Sequence, residues 1–129
     1  MKNAILETAL QTVQLEAKSI ADLAAFLDAS FVEAIELLNN CRGRLVFSGI
    51  GKSALIAQKI VATLNSTGTP SLFMHAADAI HGDLGAVQKD DIVLIISKSG
   101  ESPEIKALVP YIKNFGNKLI GIVGNTESY

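Results

Sequence analysis

Three stretches of the chain place chemically useful residues close together. In Ser97-Lys98-Ser99-Gly100-Glu101-Ser102, hydroxyls alternate with charged residues around a single glycine. A glycine there lets the backbone turn so that several N–H groups point one way, and an adjoining helix start adds partial positive charge. That combination cradles a phosphate without any net basic charge. The plainer alternative is a cap, in which Ser102 starts the helix and Ser99 only turns the chain. Capping accounts for Ser102 but not for the whole run, which favours phosphate. The second stretch is Ser48-Gly49-Ile50-Gly51-Lys52-Ser53. A lysine at a helix start opposes the helix dipole, so Lys52 makes better sense facing an anion than as a solvated side chain. The third, His75 to Gly85, holds both histidines, with Asp78 and Asp83 between and beside them. Its spacings match no zinc pattern, and no metal or cofactor is expected. His75 suits a loop or capping role, whereas His81, followed by Gly82-Asp83, stays open between loop residue and site residue.

Two familiar nucleotide loops are excluded. A G-x-x-x-x-G-K-S loop needs glycine where Val46 stands, and the third strand ends in serine rather than a magnesium-holding acid. A dinucleotide fold needs an acid at the end of the second strand, where Met74-His75 stands instead.

These loops need elements to hold them. Leu6, Leu10, Val13, Ala17, Ile20, Ala24 and Leu27 recur at helical spacing and predict one long first helix. A second helix is expected from about Ser30, carrying Phe31, Ile35 and Leu38 and ended by Gly43. Beyond it, short apolar runs alternate with helical patterns. Strands are predicted at Leu45-Val46-Phe47, Ser71 to Met74, Asp91 to Ile96 and Lys118 to Val123. Helices are predicted from Ser53 to about Asn65, and from Ser102 as cap with Pro103 at the first position to a stop at Gly116. This alternation predicts an α/β fold, a doubly wound parallel sheet with N-terminal helices, whose ligands bind outside the carboxyl ends of the strands. Residues 1–42 are expected to form a helical segment of the same domain and part of an oligomer interface, and residues 43–129 the α/β domain. No helix follows the fourth strand, so the domain is expected to be incomplete before its last strand and helix.

Composition narrows the partners. The chain has 129 residues and a formal charge of −2, with 49% hydrophobic and 19% charged residues, so it should fold as about one domain. No basic surface recommends nucleic acid or anionic lipid. The single cysteine, Cys41, suits packing in a reducing cytoplasm. No signal peptide is visible, and the longest aliphatic run, Ile92 to Ile96, is far too short to cross a bilayer. A soluble cytoplasmic protein is expected.

Taken together, Ser48 to Ser53, Ser66-Thr67-Gly68-Thr69-Pro70, His81-Gly82-Asp83-Leu84-Gly85 and Ser97 to Ser102 resemble the sugar isomerase (SIS) domain. Within it they resemble the arabinose-5-phosphate isomerase family, from about Gln11 to the end. The Ser-rich loop alone indicates only an SIS domain, whereas Gly-Lys-Ser with His-Gly-Asp-Leu-Gly narrows it to this family. The resemblance implies a flavodoxin-like parallel sheet, a homotetramer, and interconversion of D-arabinose 5-phosphate with D-ribulose 5-phosphate for the Kdo sugar of lipopolysaccharide. It implies phosphate contacts from Ser53, Ser97, Ser99 and Ser102 in loops turned by Gly51 and Gly100. It implies catalytic roles for Lys52, His81 and Glu104. Moving a carbonyl between neighbouring carbons needs a base to shuttle a proton and a cation to steady the enediolate. Glu104 is then the base, Lys52 the stabiliser and His81 a helper in ring opening or proton transfer. On residue type alone, Glu104 would be a first-turn acid favoured by the helix dipole.

Lys98 stands where many family members carry Asn. The family also places a further Glu and a further His beyond residue 129, and often paired modules of the cystathionine-β-synthase type. The site is therefore expected to be completed by further chain or by a neighbouring subunit. The competing class is a sugar-phosphate sensor without turnover, which would need only the serine loops; Lys52, His81 and Glu104 favour the enzyme.

Overall fold

The computed structural model describes residues 2–129. They form two compact units, one reaching Glu36 and one running from Leu37 to Tyr129.

In the first unit, helix α1 (Lys2–Asp22) buries none of its residues, and Ile5, Leu6, Leu10 and Val13 are all more than half exposed. The predicted helix through Leu27 is cut short. A 3-10 turn spans Leu23–Phe26, and Leu27 is extended. The cause is Asp28, whose Oδ1 accepts the N–H of Ser30 at 2.9 Å and of Phe31 at 3.4 Å. An N-cap residue must leave the helical conformation, so the chain breaks there and restarts as α2 (Ala29–Asn39). The Ser30 hydroxyl and these amides hold the Asp28 carboxyl below its usual range.

Gly43 does not end α2, which stops at Asn39. A Cβ on Gly43 would lie 2.5 Å from the carbonyl carbon and oxygen of Asp90. Glycine is required there because the chain entering the first strand presses on the chain entering the third.

The second unit is a four-stranded parallel sheet in the order β2-β1-β3-β4, with β1 Leu45–Gly49, β2 Ser71–His75, β3 Ile92–Ser97 and β4 Lys118–Val123. Helix α3 (Gly51–Ser66) connects β1 to β2, and α4 (Ala76–Ala79) with a 3-10 turn at Asp83–Ala86 follows β2. Helix α5 (Pro103–Phe115) connects β3 to β4 and is closed by Gly116 as expected. The period of two along the strands divides the core. Leu45, Phe47, Ile92 and Leu94 meet Ala57 and Val61 of α3 on one face. Val46, Val93 and Ile95 meet Ala76, Ala79, Leu108 and Ile112 of α4 and α5 on the other. Helices thus cover both faces, which makes the sheet doubly wound.

The strands enter on a polar staple. Asp91, buried to 2% exposure, accepts the backbone N–H of Arg44 and of Gln88 and the Arg44 guanidinium, each at 2.8 Å. Asn117 adds bonds to the carbonyls of Gln88 and Asp91. This network fixes the amino ends of β1, β3 and β4 and leaves the opposite edge to the functional loops.

Candidate phosphate site

In the order β2-β1-β3-β4 the winding reverses between β1 and β3, and in open α/β sheets ligands bind at the carboxyl ends of the strand pair where it does so. Both predicted loops leave the sheet there. The β1 strand ends at Gly49, where a Cβ would lie 3.1 Å from the carbonyl oxygen of Ile96 and 3.3 Å from the N of Ala54. Any larger residue there would crowd the turn against the end of β3. Gly51 then starts α3 at φ +59°, a conformation that costs most other residues free energy. Lys52 follows as an exposed residue of the first turn of α3, and Ser53 is half-buried beside it.

The β3 strand ends in Ser97, which is 5% exposed. Its hydroxyl oxygen accepts the N–H of Gly100 at 3.0 Å, and Ser99 Oγ accepts the N–H of Glu101 at 3.1 Å. Gly100 makes the turn at φ +68°. These bonds curl the loop tightly into the N-terminus of α5, while both hydroxyl protons stay free to be donated elsewhere.

Ser102 occupies the N-cap position of α5 with Pro103 behind it, as predicted, but its side chain makes no capping bond. Its Oγ is buried without a hydrogen-bond partner among the described residues. Capping therefore does not account for Ser102. Glu104 is half-buried in the first turn of the same helix.

The histidines part ways. The His75 ring accepts the N–H of Ala77 at 3.2 Å and caps α4, the role expected of it. His81 is exposed in the crossover between β2 and β3, whose Ala76, Ala79 and Leu84 pack in one core cluster with Ile105 and Leu108 of α5. The fold thus has the loop that carries Lys52 and Ser53 and the loop that carries Ser97, Ser99, Ser102 and Glu104 leave the carboxyl ends of one pair of neighbouring strands. No cluster of metal-ligating side chains occurs among the described residues.

A profile of the SIS domain matches residues 37–129. The chain belongs to the SIS domain family. Among curated relatives, arabinose 5-phosphate isomerase KdsD of Pseudomonas aeruginosa is 48% identical over 123 residues, covering 95% of this chain. Arabinose 5-phosphate isomerase KpsF of Escherichia coli strain CFT073 is 43% identical over 125 residues, covering 96%. The chain spans 38% of the length of each of these relatives. Among solved structures, E. coli CFT073 c3406 in complex with arabinose 5-phosphate superposes with a TM-score of 0.93 at 41% identity. That match covers 99% of this chain and 68% of the other.

Three features of this SIS domain escape motif-based selection. Ser48 lies on β1 with no exposed surface, and its Oγ is a second buried hydroxyl without a partner among the described residues. The sequence pattern ends the first strand at Phe47, whereas β1 runs on through Ser48 to Gly49 and is buried at every position. Glu101 is the second feature: it pairs with Lys106 and accepts the N–H of Tyr129 at 3.0 Å. The third is the segment after β4, where the N–H of Gly124 donates to the carbonyl of Lys98 at 3.0 Å. Nothing local in the sequence marks these contacts, which join residues distant along the chain.

Proposed function

We propose that the protein is an aldose–ketose isomerase that interconverts D-arabinose 5-phosphate and D-ribulose 5-phosphate. The relative in complex with arabinose 5-phosphate, alike over 99% of this chain, is the observation that carries the proposal. Two curated relatives named for the same isomerisation support it. On this reading the phosphate sits against the Ser97–Ser102 loop and the start of α3, with Ser53, Ser97, Ser99 and Ser102 as its ligands. The sugar then extends along the crevice. Glu104 takes a proton from one carbon and returns it to its neighbour, Lys52 steadies the enediolate oxygens, and His81 assists ring opening.

The product feeds synthesis of the Kdo sugar of lipopolysaccharide. The protein works in the cytoplasm as a homotetramer, joined in part through the exposed apolar residues of α1. No helix is long and apolar enough to cross a membrane among the described residues.

Incubation of the full-length protein with arabinose 5-phosphate, followed by ketose detection, tests the reaction. Glu104→Gln keeps the shape of the first turn but removes the base. Turnover should fall on the order of a hundredfold or more while sugar-phosphate affinity holds. If wild type binds the sugar phosphate and forms no ketose, the protein is a sensor and Glu104 is a helix-start acid.

A further inference from the structure

Glu101 presents a problem for a phosphate loop. A carboxylate sits in the middle of the segment that is to hold an anion, where an uncompensated negative charge would repel the ligand. Each of its carboxylate oxygens, however, has a partner. One oxygen meets Lys106 on the next turn of α5, and the other accepts the N–H of Tyr129 at 3.0 Å. Lys106 Nζ lies 5.8 Å from the centre of the Tyr129 ring, within range of a cation–π contact. Upstream, Gly124 donates to the Lys98 carbonyl at 3.0 Å, and a Cβ on Gly124 would lie 2.7 Å from that oxygen. Between these points a Cβ on Gly100 would collide with Ser128 Oγ. Residues 124–129 therefore cross the loop and touch it at Lys98, Gly100 and Glu101, the stretch whose hydroxyls and amides face the ligand in the proposed function.

We propose that residues 124–129 form a strap that holds the phosphate loop in its binding shape, and that Glu101 is the positioning residue that ties loop to strap. This inference rests on the phosphate reading of the Ser97–Ser102 loop and deepens it. The hydrogen bonds from Lys106 and Tyr129 also hold the Glu101 carboxyl below its usual range, so it stays an acceptor across the neutral range. Its charge is directed at Lys106 rather than at the ligand. Phosphate affinity then depends on a contact between β3 and the segment after β4, not on the serine loop alone.

The experiment uses the full-length protein, with inorganic phosphate and arabinose 5-phosphate as probes in calorimetry. An idle surface acid and a positioning residue predict opposite signs. Removing an idle acid beside an anion would tighten phosphate binding, and Glu101→Ala and Glu101→Gln would do so alike. A positioning residue behaves otherwise: Glu101→Ala weakens binding on the order of tenfold, and Glu101→Gln restores most of the affinity because it keeps an acceptor for the Tyr129 N–H. Gly124→Ala, which disturbs the strap without touching Glu101, should weaken binding similarly. The double variant should lose less than the two losses combined. In turnover the cost should appear in KM and leave kcat nearly unchanged. Melting temperatures identify a variant that merely unfolds, and Gly124→Ala carries the test if Glu101→Ala does so. Tighter binding by both Glu101 variants, or wild-type affinity in Glu101→Ala and Gly124→Ala, overturns the inference. Ser99→Ala separates the two levels of the argument. If it loses phosphate affinity while the Glu101 and Gly124 variants keep theirs, the strap fails and the phosphate loop stands. If wild type binds neither probe, the phosphate reading fails and the strap with it.

Discussion

The hydroxyl of Ser97 accepts the N–H of Gly100 at 3.0 Å in a buried setting, and so closes the turn that leads β3 into α5. The bond fixes the direction of the following amides as well as the Ser97 oxygen. On the proposed reading, Ser97→Ala should therefore act twice, by deleting a phosphate donor and by releasing Gly100. Stability should fall by about 1 kcal/mol, and sugar-phosphate affinity by roughly tenfold or more. Ser99→Ala removes an exposed turn bond, so its effect should be confined to affinity. Equal losses of stability in the two variants, read by denaturant unfolding, would contradict this division.

Much of this arrangement is legible in the sequence because its causes are local. The apolar run Ile92 to Ile96, the Ser102-Pro103 helix start and the Gly116 stop each carry their own signal, and each lies where that signal puts it. The order β2-β1-β3-β4 sets β1 beside β3, so both loops leave neighbouring strand ends; handedness of the crossovers fixes the face each helix covers but not that order. The failures have other causes, one a competing local signal and the rest contacts between distant residues. Asp28 ends the first helix early because a cap for α2 competes with the apolar periodicity. Gly43 resembles a helix stop but answers to Asp90, far along the chain. The strap on Glu101 is invisible for the same reason, since no spacing rule links residue 101 to residue 129.

The staple beneath the sheet sets an acid limit on stability. Burial pushes the Asp91 carboxyl up, but bonds from the Arg44 guanidinium and from the amides of Gln88 and Arg44 outweigh it and hold the carboxyl below its usual value. The same pairing raises Arg44. A carboxyl lowered by folding stabilises above its unfolded pKa of about 3.9, and that contribution disappears as pH falls through the lower folded value. Little loss is expected from this group between pH 7 and about 5, with a steep decline below about 4. Asp91→Ala should cost about 3 kcal/mol or more at neutral pH, because it strands Arg44 and two amides. Asp91→Asn should flatten the acid limb in urea titrations. An unchanged limb would assign the acid sensitivity to other carboxylates.

On the proposed reading, assembly rests on the face of α1. Leu6, Leu10 and Val13 share a helical stripe and are 61%, 54% and 65% exposed. A row of large aliphatic side chains of this kind marks an interaction surface. Leu10→Glu or Val13→Glu should shift the full-length protein to smaller species in light scattering, with little change in the far-ultraviolet helix signal. A species of unchanged mass with either charge in place would remove α1 from the interface.

Ser102 gives the sharpest separation of structure from function. At an N-cap, replacing serine by alanine costs about 1 kcal/mol when the hydroxyl bonds the helix amides. Here no such bond is made, and the Oγ is buried without a partner among the described residues. A buried hydroxyl of this kind destabilises the protein that holds it, since it has given up water and gained nothing. Ser102→Ala should therefore leave stability unchanged or raise it by up to about 1 kcal/mol in denaturant unfolding. If Ser102 is a phosphate ligand, the same change should weaken sugar-phosphate binding by about tenfold or more, because a hydrogen bond to a charged group is lost. Stability and affinity would then move in opposite directions, which neither misfolding nor a lost cap can produce. A parallel loss of both would return Ser102 to the role of a cap. A gain in stability with unchanged affinity would leave its hydroxyl outside the phosphate site.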